Sequence, residues 1–258
     1  MGAMLAIDVG NTNIKSAIFE QDIIRRIFSL ETKICLETGS FLDQLLSAVE
    51  KMPQNVVISS VRRDVTEVIV RDITARSLQE PFVVDPTSDM GITNLYRTNE
   101  TLGVDRIVNA AAAYCLYGKQ GNPVVVVDMG TATTIDYVSP QGEFLGGAIA
   151  PGLLSASKGL EINAPELPQV DFSSDVSAIG RTTDECIRSG VVLGHAAMIQ
   201  GMVDLMSAQC HETGPIVVIT GGLSEVVKNC FPIRYIFDKN LTLKGLYRIY
   251  RLNRHQTC

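Results

Sequence analysis

Two stretches decide the fold of this chain: MLAIDVGNTNIKSAIFE, residues Met4–Glu20, and VVVVDMGTATTIDYV, residues Val124–Val138. Each begins as an apolar strand that ends in an aspartate. A turn with one glycine and small or hydroxylated residues follows, and then a second strand. The two aspartates, Asp8 and Asp128, lie 120 positions apart in a chain of 258 residues. Solenoid repeats have periods of about 20–50 residues, so a repeat of this length predicts a duplicated domain.

The segments that follow each copy also match, because both halves predict three strands, a helix, a strand, a helix and a final strand. The alternation predicts a mixed sheet with helices on both faces. An alanine-rich helix, Asp105–Tyr117, is predicted at the junction of the halves. The predicted strands are Met4–Asp8, Ile14–Glu20, Ile23–Leu30, Asn55–Ser59, Phe82–Val84, Val124–Asp128, Thr133–Val138, Phe144–Ala150, Ile216–Thr220 and Arg234–Phe237, and the remaining helices are Ser40–Met52, Val65–Leu78, Thr183–Ala208 and Leu223–Lys228.

Composition and charge exclude several classes of protein. Apolar residues make up 46% of the chain, which is enough for a substantial core. The net charge is −6, which disfavours binding to nucleic acid or to an anionic membrane surface. The longest run without a charged residue is Ser189–Val203, 15 residues. A membrane-spanning helix needs roughly 20 apolar residues, so we predict none.

The cysteines and the N-terminal segment predict a cytoplasmic protein. The six cysteines form no C-x-x-C pair, which excludes the usual zinc and disulfide frameworks and favours reduced thiols. The segment MGAMLAID lacks the basic region of a secretory signal, so we expect no leader of that kind.

The turn after the first strand is a candidate anion site. Gly10 permits a tight turn, and consecutive backbone N–H groups in such a turn can converge on an anion. Asp8, at the carboxyl end of the strand, could hold Mg²⁺ through water. A hairpin turn with a capping aspartate explains one copy by itself. The second turn, Asp128–Thr134, favours two facing anion-binding hairpins and therefore a nucleotide cleft.

Other glycine motifs add weaker signals. The strand Ile216–Thr220 runs into Gly221-Gly222, which could accept adenosine or could be an ordinary strand-to-helix turn. No two glycines are separated by a single residue, so the G-x-G-x-x-G motif is absent, and no P-loop motif occurs. His195 lies in an apolar helix and is predicted to be a packed core residue.

The segment Gly103-Val104-Asp105-Arg106 precedes the alanine-rich helix and has two interpretations. Asp105 could cap the helix. That explanation leaves Arg106 unexplained, because a cation in the first turn meets the positive end of the helix dipole. Alternatively, Asp105 could accept a proton from a hydroxyl while Arg106 contacts an anionic group of a substrate. The sequence pattern leaves both open.

Taken together, six motifs resemble those of type III pantothenate kinases, in the superfamily of acetate and sugar kinases, heat-shock chaperones and actin. They occur in the family's order and span nearly the whole chain: DVGNTN at Asp8, GVDR at Gly103, DMGTATT at Asp128, GGAIAPG at Gly146, GRTT at Gly180 and TGG at Thr220. The resemblance implies an α/β fold of two duplicated ribonuclease-H-like (actin-like) domains, residues 1–117 and 118–258, with a nucleotide cleft between them.

The resemblance also implies the reaction, which is ATP-dependent phosphorylation of the pantothenate 4′-hydroxyl, the first step of coenzyme A synthesis. Asp105 would be the general base. The implied binding residues are Asp8, Val9, Gly10, Asn11, Thr12, Asn13, Ile14, Lys15 and Thr131 for ATP, Tyr96, Gly103, Val104, Asp105, Arg106 and Thr183 for pantothenate, Asp8 for Mg²⁺ through water, and Asp128 for a monovalent cation, K⁺ or NH₄⁺.

The family further implies a homodimer and partners limited to ATP and pantothenate, with no nucleic acid and no membrane. One departure from the family is Asn99, where a proline is common, and it bears on the rigidity of the loop that contains Tyr96. Two alternatives remain on these motifs alone. One is another superfamily kinase or phosphatase acting on a sugar, acetate or polyphosphate. The other is a non-enzymatic regulator, because some family members were first described as accessory factors for transcription.

Overall fold

The computed structural model describes residues 2–38, 43, 53–76, 79–118, 121–172, 176–231 and 234–255. The chain forms two compact units. The first unit contains residues 1–112 and 240–258, and the second contains residues 113–239. The predicted helix Ser40–Met52 lies outside the described residues apart from residue 43.

The first unit is built on a five-stranded mixed sheet. Its strands are β1 (Met4–Val9), β2 (Asn13–Glu20), β3 (Ile23–Glu31), β4 (Asn55–Ser60) and β5 (Phe82–Val83). The order across the sheet is β3-β2-β1-β4-β5. The hairpin strands β1, β2 and β3 are antiparallel, whereas β4 runs parallel to β1 and β5 runs parallel to β4.

Helices pack against this sheet through apolar residues that recur on one face of the helix. In α2 (Arg63–Arg76), Val65, Ile69 and Ile73 recur every four residues, and all three are fully buried. They join Leu5, Ile7 and Val9 of β1 in one hydrophobic cluster. The other helices of this unit are α1 (Thr32–Thr38), the greater part of α3 (Val104–Tyr117) and α8 (Leu241–His255), and a short strand, β6 (Thr93–Asn94), precedes α3.

The second unit repeats the arrangement. Its strands are β7 (Val124–Met129), β8 (Ala132–Val138), β9 (Glu143–Pro151), β10 (Ile216–Thr220) and β11 (Ile236–Phe237). They pair in the order β9-β8-β7-β10-β11, with β7, β8 and β9 antiparallel and β10 and β11 parallel to their neighbours. The order and directions match those of the first unit. Even the burial pattern of β7 equals that of β1, so the predicted duplication and mixed sheets are confirmed.

The predicted long helix of the second unit has three segments. They are α5 (Thr183–Arg188), a π-helical turn (Ser189–Leu193) and α6 (Gly194–Gln209), and α4 (Leu153–Asn163) and α7 (Ser224–Val227) complete the unit. By length and composition, the 27-residue stretch Thr183–Gln209 could cross a membrane. That evidence is weak, because the core helices of soluble proteins meet the same criteria, and Ile199 and Val203 of this stretch pack into the core of the second sheet.

The sequence patterns do not predict the C-terminal helix α8, although Leu243, Leu246 and Ile249 repeat at helical spacing and are buried. It packs against β1, β2 and β4 of the first sheet. Its Thr242 hydroxyl also donates to Asn109 Oδ1 of α3 at 2.7 Å. Residues 240–258 therefore belong to the first unit, whereas the sequence-based halves assign them to the second.

Candidate functional site

The first turn connects β1 to β2 and is held by the segment that begins α1. The Gly10 N–H donates to the Asn13 carbonyl at 3.0 Å, which closes the turn. Thr32 braces it from outside, because its hydroxyl donates to the Gly10 carbonyl and its N–H donates to the Thr12 carbonyl, both at 2.9 Å. Residues 11–13 remain exposed. The turn is thus fixed in shape while its outer residues stay accessible to a ligand.

Asp8 lies near the end of β1, on the face of the sheet opposite the cluster formed with α2. In register, it stands between Lys15 of β2 and Ser59 of β4. The Ser59 hydroxyl donates to Asp8 Oδ1 at 2.7 Å. The pKa of Asp8 is raised to about 6, mainly by burial and also by the charge of Asp105, against the lowering effects of the Ser59 hydrogen bond and the Lys15 charge. The structure therefore brings Asp8 and Asp105 within electrostatic range inside one unit.

Asp105 is the second residue of α3 and is half-buried. Its Oδ1 accepts the backbone N–H of Arg106 at 2.9 Å, so the carboxylate is held at the helix start. Burial raises the pKa of Asp105, although the Arg106 N–H and the Arg106 charge both lower it. A side chain at Gly103 would place its Cβ 2.6 Å from Asp105 Oδ1. Glycine at position 103 therefore leaves the space that this carboxylate occupies.

Arg106 is buried, and its guanidinium lies over the Tyr96 ring, 5.5 Å from the ring centroid. The ring attracts the guanidinium, whose N–H donors form a fork that matches a planar anion such as a carboxylate. Asn99, the departure from the family pattern, accepts a hydrogen bond from Asn94 Nδ2 at 2.9 Å, and the Tyr96 N–H donates to Asn94 Oδ1 at 3.0 Å. Hydrogen bonds thus stabilise the loop without the proline.

The second turn, between β7 and β8, closes like the first, with the Gly130 N–H donating to the Ala132 carbonyl at 3.0 Å. Thr131, at its tip, is exposed. The Thr131 carbonyl accepts the Ser155 hydroxyl at 2.7 Å and the Gly152 N–H at 3.2 Å. The GGAIAPG segment therefore supports the DMGTATT turn directly.

Asp128 lies beside the glycine pair that follows β10. Gly221 has a φ of +96°, and a Cβ there would stand 2.6 Å from Asp128 Oδ1 and 2.5 Å from the Met129 N and O atoms. The space next to this carboxylate exists only because position 221 has no side chain. Carboxylate and backbone carbonyl oxygens are ligands that hard cations prefer, so the donor set fits a cation.

Thr183 lines a mostly apolar pocket of about 680 Å³ within the second unit, together with residues that include Pro151, Leu160, Ile187, Val191 and His195. Its helix begins as predicted, because the Thr182 hydroxyl accepts the Glu185 N–H at 3.3 Å. The π-helical turn forms part of the pocket wall. The sequence did not predict that turn.

His195 is a packed residue of this unit, as predicted. It is 7% exposed, and its Nε2 hydrogen-bonds Thr133 Oγ1 at 2.9 Å. Burial lowers the pKa of His195, which favours the neutral imidazole.

Within the described ranges, no group of three or more His, Cys, Asp or Glu residues could hold a metal ion. Asp8 and Asp128 therefore each offer one carboxylate, and a cation at either would need further ligands from water, backbone or substrate phosphate. The described cysteines are all free thiols. Sequence reasoning missed Ser59 as part of the site, although a serine ending a buried strand was a usable signal.

Comparison with known proteins gives a consistent family. A family model described as type III pantothenate kinase matches residues 4–205. The chain is 38% identical over 259 residues to a type III pantothenate kinase from Moorella thermoacetica, covering 97% of this chain and 99% of that protein. It is 35% identical over 257 residues to the protein of the same description from Syntrophus aciditrophicus, with the same coverage.

Solved structures share the fold at lower identity. A Baf family transcriptional activator from Campylobacter jejuni has a TM-score of 0.64 and 24% identity, covering 97% of this chain and 99% of that one. An ADPNP-bound activator of a 2-hydroxyisocaproyl-CoA dehydratase from Clostridium difficile has a TM-score of 0.55 and 12% identity, covering 100% of this chain and 97% of that one. A ROK hexokinase from Thermus thermophilus has a TM-score of 0.51 and 14% identity, covering 97% of this chain and 99% of that one. These likenesses support the predicted actin-like, two-domain fold.

Proposed function

The chain belongs to the type III pantothenate kinase family, and we propose that Asp105 is the general base of its reaction. The protein is a phosphotransferase that phosphorylates pantothenate with ATP in coenzyme A biosynthesis. The acceptor in this proposal is the 4′-hydroxyl, and the reaction is the first step of that synthesis.

The position of Asp105 is the observation that carries the assignment, because its carboxylate is held near the start of α3 by the Arg106 N–H and lies close enough to Asp8 for its charge to affect that group. Burial raises the pKa of both carboxylates, and the charge of Asp105 adds to the shift of Asp8, so both groups ionise more readily when positive charge is nearby. Their raised pKa values also make them better proton acceptors than exposed carboxylates. A capping role alone would not call for a half-buried aspartate near a second one.

In the proposed step, the pantothenate hydroxyl gives its proton to the Asp105 carboxylate. The hydroxyl oxygen forms a bond to the γ-phosphorus of ATP, while the bond from that phosphorus to the bridging oxygen of ADP breaks. The products are a phosphate ester and ADP, and the proton on Asp105 then passes to solvent. Phosphoryl transfer depends mainly on positioning and electrostatic stabilisation, so the protein needs no covalent intermediate.

For ATP, we propose that the first turn, residues 8–15, binds the phosphates and that Thr131 of the second turn contributes. The exposed residues 11–13 and the exposed Thr131 support this, as do the two similar turn closures. Asp8 would hold Mg²⁺ through water, which fits a half-buried carboxylate with one oxygen bonded by Ser59. When bound, Mg²⁺ supplies positive charge to the phosphate oxygens.

Asp128 would hold the monovalent cation, K⁺ or NH₄⁺, in the space beside Gly221. The support is the carboxylate and carbonyl oxygen donors that surround a volume which a Cβ would fill. A cation there would add positive potential close to the second turn.

For pantothenate, we propose binding by Tyr96, by residues 103–106 and by Thr183. The stacked Arg106 guanidinium suits the pantothenate carboxylate. Thr183 lines a mainly apolar pocket, which suits the hydrocarbon part of such a substrate. We further propose a homodimer in the cytoplasm, from the resemblance to the family.

The experiment is ADP release from ATP and pantothenate, with ³¹P NMR to identify the phosphate ester, in the presence and absence of K⁺. We expect pantothenate-dependent ADP release that K⁺ stimulates. ATP turnover without a pantothenate ester would contradict the function. Equal rates with and without added monovalent cations would contradict only the cation assignment.

A further inference from the structure

We propose that Ser59 is a positioning residue that orients the Asp8 carboxylate for nucleotide binding. The inference rests on the proposed function of Asp8 in the nucleotide site and adds a residue to it. Ser59 itself would touch neither substrate.

The sheet register places the two side chains together. Asp8 and Ser59 are directly paired in the parallel ladder of β1 and β4, so their side chains point to the same face of the sheet. Neighbouring strands lie about 4.8 Å apart, within reach of a hydrogen bond between short side chains. The hydroxyl donates to Asp8 Oδ1 at 2.7 Å, an ordinary distance for an O–H···O hydrogen bond.

Burial makes this contact specific. Ser59 is 0% exposed, so neither water nor an alternative orientation competes easily for its hydroxyl. Asp8 is flanked by Ser59 on one side and by Lys15 on the other, and the Ser59 bond engages one of its two oxygens. That arrangement restrains the orientation of the carboxylate and leaves the second oxygen for the water shell of a bound cation.

The neighbouring Ser60 provides a matched control. It is the last residue of β4, and its hydroxyl donates to the Arg62 carbonyl and accepts the Arg62 N–H, both at 3.0 Å. It therefore fixes the start of α2 rather than Asp8. Ser60→Ala removes the same group from the next residue without touching the carboxylate.

The test measures ATP affinity by calorimetry in Mg²⁺, together with KM for ATP, KM for pantothenate and kcat, for Ser59→Ala and Ser60→Ala. A hydrogen bond to a charged group, when lost, corresponds to roughly 10- to 100-fold in affinity. We expect Ser59→Ala to raise the Kd and KM for ATP by that factor. The KM for pantothenate should stay within about twofold, since Arg106 and its neighbours are untouched, and Ser60→Ala should bind ATP like the wild type.

A second pair of variants separates the loss of the hydrogen bond from a folding defect. Ser59→Thr and Ser59→Val add nearly the same volume to a fully buried position, and they differ in a hydroxyl against a methyl group. We expect Ser59→Thr to bind ATP at least tenfold more tightly than Ser59→Val.

Equal ATP affinities for Thr and Val, or wild-type ATP affinity in Ser59→Ala, would overturn the positioning role. If the wild type binds ATP but forms no pantothenate ester, the proposed function fails, while the Ser59 series still decides whether Ser59 orients Asp8.

Discussion

At the scale of single residues, the two carboxylates of the first unit differ in what holds them. Asp8 is bonded by a side chain from the neighbouring strand, and Asp105 by the backbone N–H of the next residue. A raised pKa in both follows from burial. Each bond engages one carboxylate oxygen and leaves the other for the proposed ligand, the water shell of Mg²⁺ at Asp8 and the substrate hydroxyl at Asp105.

Asp105→Asn tests the general base directly. The amide keeps the shape of the side chain but cannot accept the proton, so kcat should fall roughly 10²- to 10⁴-fold. Kd values for ATP and pantothenate, measured by calorimetry, should change by less than about fivefold. Asp204→Asn is the control, because Asp204 is exposed on α6, where its Oδ1 accepts a hydrogen bond from Gln200 Nε2 at 2.9 Å. Near wild-type kcat in Asp105→Asn would refute the assignment.

His195 predicts a pH dependence of stability. Its pKa is lowered in the folded protein, so below the ordinary value of 6.5 the unfolded chain binds a proton that the folded chain resists. The stabilising contribution is therefore present above pH 6.5 and is lost as the pH falls below it. Thermal unfolding from pH 8 to pH 5 should show the wild type losing more stability than His195→Gln. Parallel curves for the two proteins would contradict the prediction.

At the scale of elements, the hairpin that carries Asp128 depends on the strand-to-helix turn after β10. The close approach of Gly221 to Asp128 and Met129 brings backbone from two neighbouring strands into contact. A turn that looked like a weak adenosine signal in the sequence thus also shapes the proposed cation site.

Gly221→Ala and Gly222→Ala form a matched pair at this turn. Position 221 has a positive φ and no room for a Cβ, whereas a Cβ at position 222 would meet nothing within 4 Å. A left-handed conformation costs a residue with a side chain about 1–2 kcal/mol, and the contact adds to that. We expect Gly221→Ala to lower the Tm and raise the K⁺ concentration for half-maximal activity. Gly222→Ala should change neither, and equal K⁺ requirements in both variants would argue against the cation site.

At the scale of the whole molecule, the last helix of the chain packs against the sheet of the first unit. α8 packs on the strands that carry Asp8 and Ser59, and Phe19 of β2 stacks on its Tyr247 with ring centroids 4.6 Å apart. Arg251 of the same helix pairs with Asp22 at 2.8 Å. The strands that carry the proposed ATP-binding turn therefore pack against a segment more than 200 positions away.

Leu246→Ala tests that dependence. Leu246 is 0% exposed in α8, and truncating a buried leucine costs about 2–5 kcal/mol of unfolding free energy. Arg248→Ala, on the exposed side of the same helix, should stay within about 0.5 kcal/mol. Urea unfolding measures both values. A loss below about 1 kcal/mol for Leu246→Ala would mean that α8 contributes little to the first unit.

The sequence by itself determined the duplication, the succession of strands and helices along the chain, and the motif residues. These features can be predicted because hydrophobic periodicity, turn residues and the Asp–Gly spacing are properties of short segments of sequence. Predicted strands such as Ile216–Thr220 agree with the structure, and others differ by a residue or two at their ends. The resemblance carried by six motifs supplied the family, and the 35–38% identity to two type III pantothenate kinases confirms it.

Only the tertiary structure decided the Ser59 contact with Asp8, the place of α8 in the first unit and the π-helical turn in the wall of the pocket that Thr183 lines. Ser59 and Asp8 are 51 positions apart, and their contact depends on the register of a parallel pair. The place of α8 depends on which apolar surface it packs against, and the sequence of residues 241–255 does not indicate that surface. These contacts are determined by packing between segments that are distant in sequence, so they become visible only in the folded structure.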